Sequence, residues 1–379
     1  MTNKKKFLKI LVSATSIILT ILILANSKTI SHSVIKGIHL CLNTLIPSIF
    51  IFLIFSNFCQ ETNVLKFILK PLEPIFQKLF KINKNLTSTI FFSLICGYPT
   101  GAYLISNLLE TQQISKKTAT RLMCFCVNAG PAFLIGAISV PFTGNINLGL
   151  ILFISQTIAF FIIGMLCSIN VKPEKQEKLN YDNKFLKSKN KKSVSQIFIN
   201  SINRAIKTMA IICGFAILFS AIIGFLFQIT NFNFQHNRIA KALISGFFEV
   251  TNGITVFNKI DNLQSLLAIT LISAFGGICV HCQLKAILAK FKISFKKFYA
   301  WRVLYCLISV ISCYLFFKFF KTTLACTTTL TNTQIKPGIS TKNIVPSISL
   351  IILSIALLYC DKKNIIIKKM NKNEMDAHF

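Results

Sequence analysis

Glu249 is a carboxylate set inside an apolar stretch, Gly246-Phe247-Phe248-Glu249-Val250-Thr251-Asn252-Gly253. A charge there is costly to take out of water, so an ionisable group so placed has a functional role by default. Its chemistry would be to bind a coupling cation or to carry a proton. The bland alternative is a shallow position in interfacial water. His281 lies between Cys279 and Cys282 in another apolar stretch. Cys-x-x-Cys suggests metal or redox chemistry, but no second ligand pair accompanies it: Cys124 and Cys126, two apart on a helix, face different directions. Two readings of His281 stay open, a substrate or proton contact and a hydrogen-bonded histidine within a helix bundle. No metal and no cofactor are expected beyond a coupling H+ or Na+. No Walker loop, His-Glu-x-x-His or Gly-x-Ser-x-Gly occurs, and no nucleophile–base pair is recognisable, so neither an enzyme nor an ATP-driven pump is expected.

A second set of residues matters through the backbone. Gly97-Tyr98-Pro99-Thr100-Gly101, Asn128-Ala129-Gly130-Pro131, Glu249-Val250-Thr251-Asn252-Gly253 and Gly276-Gly277 all interrupt apolar runs. Proline removes a helix donor and glycine favours a break. Where a helix breaks within a membrane, its free N–H and C=O groups must find partners or line a wet cavity. The N-terminus of each half-helix then presents donors and about half a positive charge, a cradle for a carboxylate that needs no buried arginine. Gly97, Tyr98, Pro99, Thr100, Gly101, Asn128, Gly130, Thr251, Asn252, Gly276, Gly277 and His281 are therefore the candidate substrate-binding residues, with Glu249 as the ion-coupling group. Asn128 and Thr251 have a competing role as caps of their own half-helices.

The chain that must position these residues has 379 amino acids, 53% hydrophobic and 14% charged, with mean hydropathy +0.63. Soluble domains carry about a quarter charged residues, too many to match this composition. A soluble enzyme, a disordered protein and a disulfide scaffold are excluded, the last because most of the 13 cysteines fall inside apolar runs. The net charge of +31 would suit nucleic-acid binding, but the basic residues lie between apolar runs and form no single patch, so no nucleic-acid partner is expected. The expected partners are a small anion and membrane lipid. A homo-oligomer is left open.

Apolar spans are expected at Phe7–Ala25, Ile38–Phe58, Lys117–Pro141, Ile146–Ile169, Ile197–Phe227, Leu263–Ala289, Phe298–Phe320 and Ile344–Tyr359. The first begins after Lys4-Lys5-Lys6 and reads as an uncleaved helix rather than a signal peptide. Val64–Lys84 alternates lysines with Leu, Ile and Phe around Pro71 and Pro74, and reads as an amphipathic segment on the membrane surface. Thr87–Glu110 and Ile239–Phe257 are broken midway, each half too short to cross, and read as re-entrant hairpins. Most of the 42 Lys and Arg fall on one side only if both hairpins return to the face they entered. The expected fold is thus all-α and polytopic, with about eight transmembrane helices plus two re-entrant helical hairpins in an inverted repeat, and both termini in the cytoplasm.

Five sections follow: an N-terminal transmembrane helix (1–30), a first repeat (31–170), a basic cytoplasmic linker (171–196), a second, inverted repeat (197–322), and an outer loop with the last helix and a basic tail (323–379). The repeats share the order span, hairpin, broken span, span. Asn43-Thr44-Leu45 through Phe55-Ser56 echoes Lys207-Thr208-Met209 through Phe219-Ser220, and Ile95-Cys96-Gly97-Tyr98 echoes Ile244-Ser245-Gly246-Phe247. Each repeat crosses an odd number of times, so the second is inverted. Inverted repeats with discontinuous helices are a secondary-transporter architecture, and matched breaks point to a midplane site.

Gly97-Tyr98-Pro99-Thr100-Gly101-Ala102, Ile114-Ser115-Lys116-Lys117, Cys126-Val127-Asn128-Ala129-Gly130-Pro131, Gly246 to Gly253 and Gly276-Gly277-Ile278-Cys279-Val280-His281-Cys282-Gln283 together resemble the YlbJ/SpoVV sporulation integral membrane protein family, over about residues 30–320. The resemblance implies a nucleoside-recognition Gate domain, similar to concentrative nucleoside transporters. It also implies a place in endospore formation, in the mother-cell-derived membrane around the forespore, and movement of dipicolinate toward the spore. The expected function is secondary transport of a small anionic metabolite, most plainly dipicolinate. Transport of a nucleoside or nucleobase, and a non-transporting scaffold for spore assembly, are the rivals.

Overall fold

A computed structural model describes residues 17, 20–22, 24–62, 68–143, 145–169, 171, 193–230, 237–257 and 262–327. The expected first span Phe7–Ala25, for most of its length, the linker at 172–192 and the last span Ile344–Tyr359 lie outside them. The described residues form helices joined by turns and short loops, with no strand among them, and the chain is a polytopic membrane protein. Among the described residues, five helices are long and apolar enough to cross a bilayer: Ser27–Thr62, Ile146–Leu166, Val194–Thr230, Leu263–Phe291 and Lys296–Phe319.

In chain order, α1 spans Ser27–Thr62 with a π-helical turn at Cys41–Leu45. α2 is Glu73–Phe80. Then come α3, Thr87–Cys96, α4, Thr100–Glu110, and α5, Lys116–Met123. α6 is a π-helix, Ala132–Ser139, continued by Val140–Thr143, and α7 is Ile146–Leu166. The second half holds α8, Val194–Thr230, α9, Arg238–Phe248, α10, Val250–Thr255, α11, Leu263–Phe275, α12, Gly277–Leu288, and α13, Lys296–Thr327. The order long helix, broken pair, broken span, long helix occurs in both halves.

α1 and α8 pack antiparallel along most of their length. The reason is written in small residues. Ser33 and Gly37 on α1 face Gly224 and Ser220 on α8: a Cβ on Gly37 would lie 2.9 Å from the Ser220 hydroxyl, and one on Gly224 would overlap Ser33. Apolar lipid gives helices no hydrophobic reason to associate, so close backbone approach at small-x-x-x-small positions supplies the contact. Towards the other end, Arg204 pairs with Glu61 at 3.0 Å. α7 and α13 form the second extensive pair, joined where the Tyr305 hydroxyl donates to the Gln156 carbonyl at 3.0 Å.

Only part of the expected surface segment behaves as expected. Residues 63–67 are outside the described part. Lys70–Leu72 makes a 3-10 turn into α2, whose Phe76 and Phe80 are buried. Phe80 stacks on Phe125 and Phe161 and meets Phe160 edge-on. One face of α2 is therefore wedged into the bundle and is not laid on lipid. Several offset and edge-on rings in one cluster add about 0.5–1.5 kcal/mol per pair to their burial.

Candidate functional site

The site is built from four breaks. α3 ends at Cys96 because Gly97, at φ 72, turns the chain, and α4 restarts at Thr100. The Tyr98 backbone N–H donates to the Asn128 carbonyl at 2.7 Å. A Cβ on Gly97 would lie 2.5 Å from the Gly130 nitrogen, one on Gly130 would lie 2.5 Å from the Ile95 carbonyl, and one on Gly101 would overlap the Cys126 carbonyl. Three glycines therefore let the hairpin tip touch the unwound stretch main chain to main chain. That stretch is longer than the sequence pattern indicates: helix ends at Met123, and residues 124–130 turn and then extend before α6 begins. Asn128 spans the contact, its amide donating to the Leu94 and Ala129 carbonyls at 3.2 Å each, while its Oδ1 is buried without a partner.

The second hairpin breaks at Glu249, whose extended backbone (φ −145, ψ 124) separates α9 from α10. The break thus falls at the first residue of the expected interruption, while Thr251, Asn252 and Gly253, expected as the tip, lie inside α10. Gly253 packs on Gly246, where a Cβ would overlap the Gly246 backbone. The sequence echo that equated Gly97 with Gly246 thus pairs a tip with a limb-to-limb contact three residues short of the tip. The other echo holds in space. Ser56 on α1 meets the Cys96 thiol at 2.6 Å, and Ser220 on α8 accepts from the Asn252 amide at 2.7 Å, so each serine touches a hairpin within three residues of its break.

Glu249 is buried and caps α10. Its Oε1 accepts from the Thr251 N–H at 3.0 Å and hydroxyl at 3.1 Å. Its Oε2 accepts from the Asn252 N–H at 2.6 Å and amide at 2.9 Å. The donors that the sequence reading offered to a substrate at this tip are taken by the protein's own carboxylate. These four bonds leave the Thr251 and Asn252 donors engaged within the hairpin.

Between the breaks lies a cavity of about 50 Å³, room for roughly three to five waters. Of the candidate residues it is lined by Tyr98, Pro99, Gly130, Glu249 and Thr251. Thr100, Gly101, Asn128, Asn252, Gly276, Gly277 and Gly97 stand behind that wall and hold it. Gly276 and Gly277 have φ 88 and 66, and Gly277 abuts the Gly246 and Phe248 carbonyls, where a Cβ would lie 3.1 and 3.2 Å away. His281 is turned elsewhere: its Nε2 meets the Phe275 carbonyl at 3.0 Å, and its ring sits among Phe275, Phe298 and Tyr299.

The wall brings together elements from both halves of the chain. α6 and α12, the second halves of the two broken spans, both begin at it: Ala132 and Phe133 line it from one, Cys279 and Val280 from the other. Their N-caps, Pro131 and Gly276, make no side-chain cap hydrogen bond. Gln283, one turn into α12, adds an amide. Arg302 on α13 is a further buried group that the sequence reading passed over. Its sequence signal is a lone arginine near the start of an apolar span. Among the described residues no group of three His, Cys, Asp or Glu is placed to hold a metal ion.

Glu110, at the end of α4, pairs with Lys290 beyond α12. The Lys290 hydrogen bond holds the Glu110 carboxyl below the usual carboxylate range.

Residues 42–170 match the Gate family, described as nucleoside recognition. The match runs from the π-helical turn of α1 to the end of α7 and so contains the first hairpin and the 124–130 break. The sporulation integral membrane protein YlbJ of Bacillus subtilis (strain 168) is 24% identical over 330 residues, covering 80% of this chain and 81% of that protein. The resemblance read from the glycine and proline motifs is therefore borne out. The Gate match itself stops short of Glu249 and the 276–277 break. No solved structure matches.

Proposed function

We propose that the chain is a secondary transporter that moves a small anionic metabolite by exposing the central cavity alternately to the two sides of the membrane. The observation that carries this reading is that the second halves of both broken spans begin at one cavity wall with no side chain capping them. Each such terminus carries a partial positive charge; at α6 the Phe133 and Leu134 N–H groups donate to the Gly130 carbonyl at 3.1 and 3.0 Å, so that terminus contributes chiefly through its charge. Two of them suit a solute with two carboxylates, and dipicolinate is the substrate proposed. Its role would be in spore formation, in line with the name of the B. subtilis relative, with the protein in the mother-cell-derived membrane around the forespore. Both termini are assigned to the cytoplasm. The Glu61–Arg204 and Glu110–Lys290 pairs join segments that the charge asymmetry assigns to the same face, in keeping with hairpins that return to the face they entered.

Glu249 sets a condition. A dianion beside an ionised carboxylate in a low-dielectric cavity is strongly disfavoured, so the carboxylate must be neutralised while the solute is bound. A proton on Glu249 does this and couples uptake to a proton gradient; Na+ is the alternative ion. No catalytic step is assigned.

The second reading is nucleoside or nucleobase transport. The cavity wall includes no Lys or Arg among the described residues, and its polar side chains, Tyr98, Glu249, Thr251 and Gln283, suit a neutral hydrogen-bonding ring. The test is uptake of labelled dipicolinate into proteoliposomes, with and without an inward proton gradient, in competition with unlabelled nucleosides. Gradient-dependent uptake resistant to nucleosides is expected. Nucleoside uptake without dipicolinate uptake favours the second reading, and uptake of neither, with spore dipicolinate normal in a deletion strain, leaves a scaffold.

A further inference from the structure

Arg302 is buried at 2% exposure, and the ion pairs seen among the described residues, Arg204–Glu61 and Lys290–Glu110, do not include it. Its Nη1 donates to the Ala274 carbonyl at 3.0 Å and its Nη2 to the Val127 carbonyl. Its guanidinium lies over the Phe298 ring at 4.8 Å and the Tyr305 ring at 5.0 Å. The two acceptors come from opposite halves of the chain. Ala274 is the penultimate residue of α11, where the helix stops short and leaves its last carbonyls without helical partners. Val127 lies in the extended stretch between α5 and α6.

Both acceptors are thus carbonyls freed by a break. Those at the end of α11 also carry the partial negative charge of a helix terminus, and a second set of free carbonyls beside them would repel. A buried cation between them removes both problems at once. We propose that Arg302 is a built-in cation that clasps the two unwound segments to each other, a positioning residue for the cavity wall that makes no contact with the solute. The planar fork is needed because it reaches two separated carbonyls; a lysine ammonium is a single point charge. The clasp is also incompletely satisfied. Arg302 Nε, Asn128 Oδ1 and Gln156 Oε1 are all buried without partners, and the Gln156 amide donates to Ser273 at 2.9 Å, one residue from Ala274. Buried polar atoms left unpaired disfavour this arrangement relative to one that pairs them, so the clasp is a contact the protein can exchange rather than a permanent staple.

The proposal is independent of what is transported and is tested without any solute. Hydrogen–deuterium exchange is measured by mass spectrometry on the purified full chain in lipid nanodiscs, for the wild type, Arg302→Ala and Arg302→Lys. In Arg302→Ala, exchange at 124–130 and at 274–278 is expected to rise together by about tenfold or more, with α1 and α8 unchanged. Millimolar guanidinium ion is expected to restore protection at both segments, while equimolar Na+ restores neither. Arg302→Lys is expected to protect one segment at most. A rise at only one segment, at neither, or equally throughout the protein overturns the clasp. If Arg302→Ala does not accumulate, Arg302→Lys decides: wild-type protection at both segments overturns it.

Discussion

The backbone N–H of Tyr98 donates to the carbonyl of Asn128 at 2.7 Å, so the tip of a half-membrane hairpin is tied to the unwound centre of a neighbouring span through the main chain. The Asn128 amide adds a side-chain bond to the Leu94 carbonyl, but the main-chain bond forms only where every Cβ in its way is missing. Three glycines meet the requirement, and their surroundings give the first prediction.

Gly101→Ala places a methyl on the Cys126 carbonyl, and Gly130→Ala places one 2.5 Å from the Ile95 carbonyl. Both collisions are with backbone, which cannot rotate away. Each substitution is expected to destabilise by at least about 1–3 kcal/mol, the usual cost of overpacking, and to abolish uptake. Thermal unfolding in detergent and the uptake assay check this together.

The α1–α8 interface offers a paired test. Gly224→Leu should push Ser33 aside and lower the melting temperature, whereas a Cβ on Gly214 meets nothing within 4 Å, so Gly214→Leu on the same helix should leave it unchanged. Equal shifts for the two variants would mean that close backbone approach is not what joins these helices.

Glu249→Gln keeps one acceptor oxygen but turns an amide towards the donors of Thr251 or Asn252. Loss of the cap should cost about 0.5–2 kcal/mol, read as a lower melting temperature. If Glu249 carries the coupling proton, the variant should still exchange solute across the membrane but no longer accumulate it under a proton gradient. Accumulation at the wild-type level would remove Glu249 from the coupling step.

The Glu110–Lys290 pair gives a pH dependence of defined sign. The folded Glu110 pKa is lowered, chiefly by the Lys290 hydrogen bond. Its contribution is therefore present above the unfolded glutamate value of about 4.3 and is lost as pH falls through the lower folded value. Both side chains are about half exposed, at 57% and 45%, so solvent screening limits the effect to at most about 1 kcal/mol. The melting temperatures of wild type and Glu110→Gln should differ slightly at pH 7 and converge as pH falls below the lowered folded value of Glu110.

The sequence by itself determined the class and the punctuation of this protein. Runs of apolar residues long enough for a bilayer, and basic residues between them, mark a polytopic membrane chain, because lipid admits almost nothing else. Glycines and prolines at 97–101, 128–131 and 276–277 mark helix ends, because the rules that break a helix are local. Only the tertiary structure decided which groups those ends serve. That Glu249 consumes the donors of its own half-helix, that His281 turns into an aromatic nest, and that Arg302 bridges Val127 and Ala274 all depend on residues from distant parts of the chain meeting in space. A free carbonyl can be inferred from a broken helix, but the partner that satisfies it is chosen by packing, and packing is not periodic in sequence.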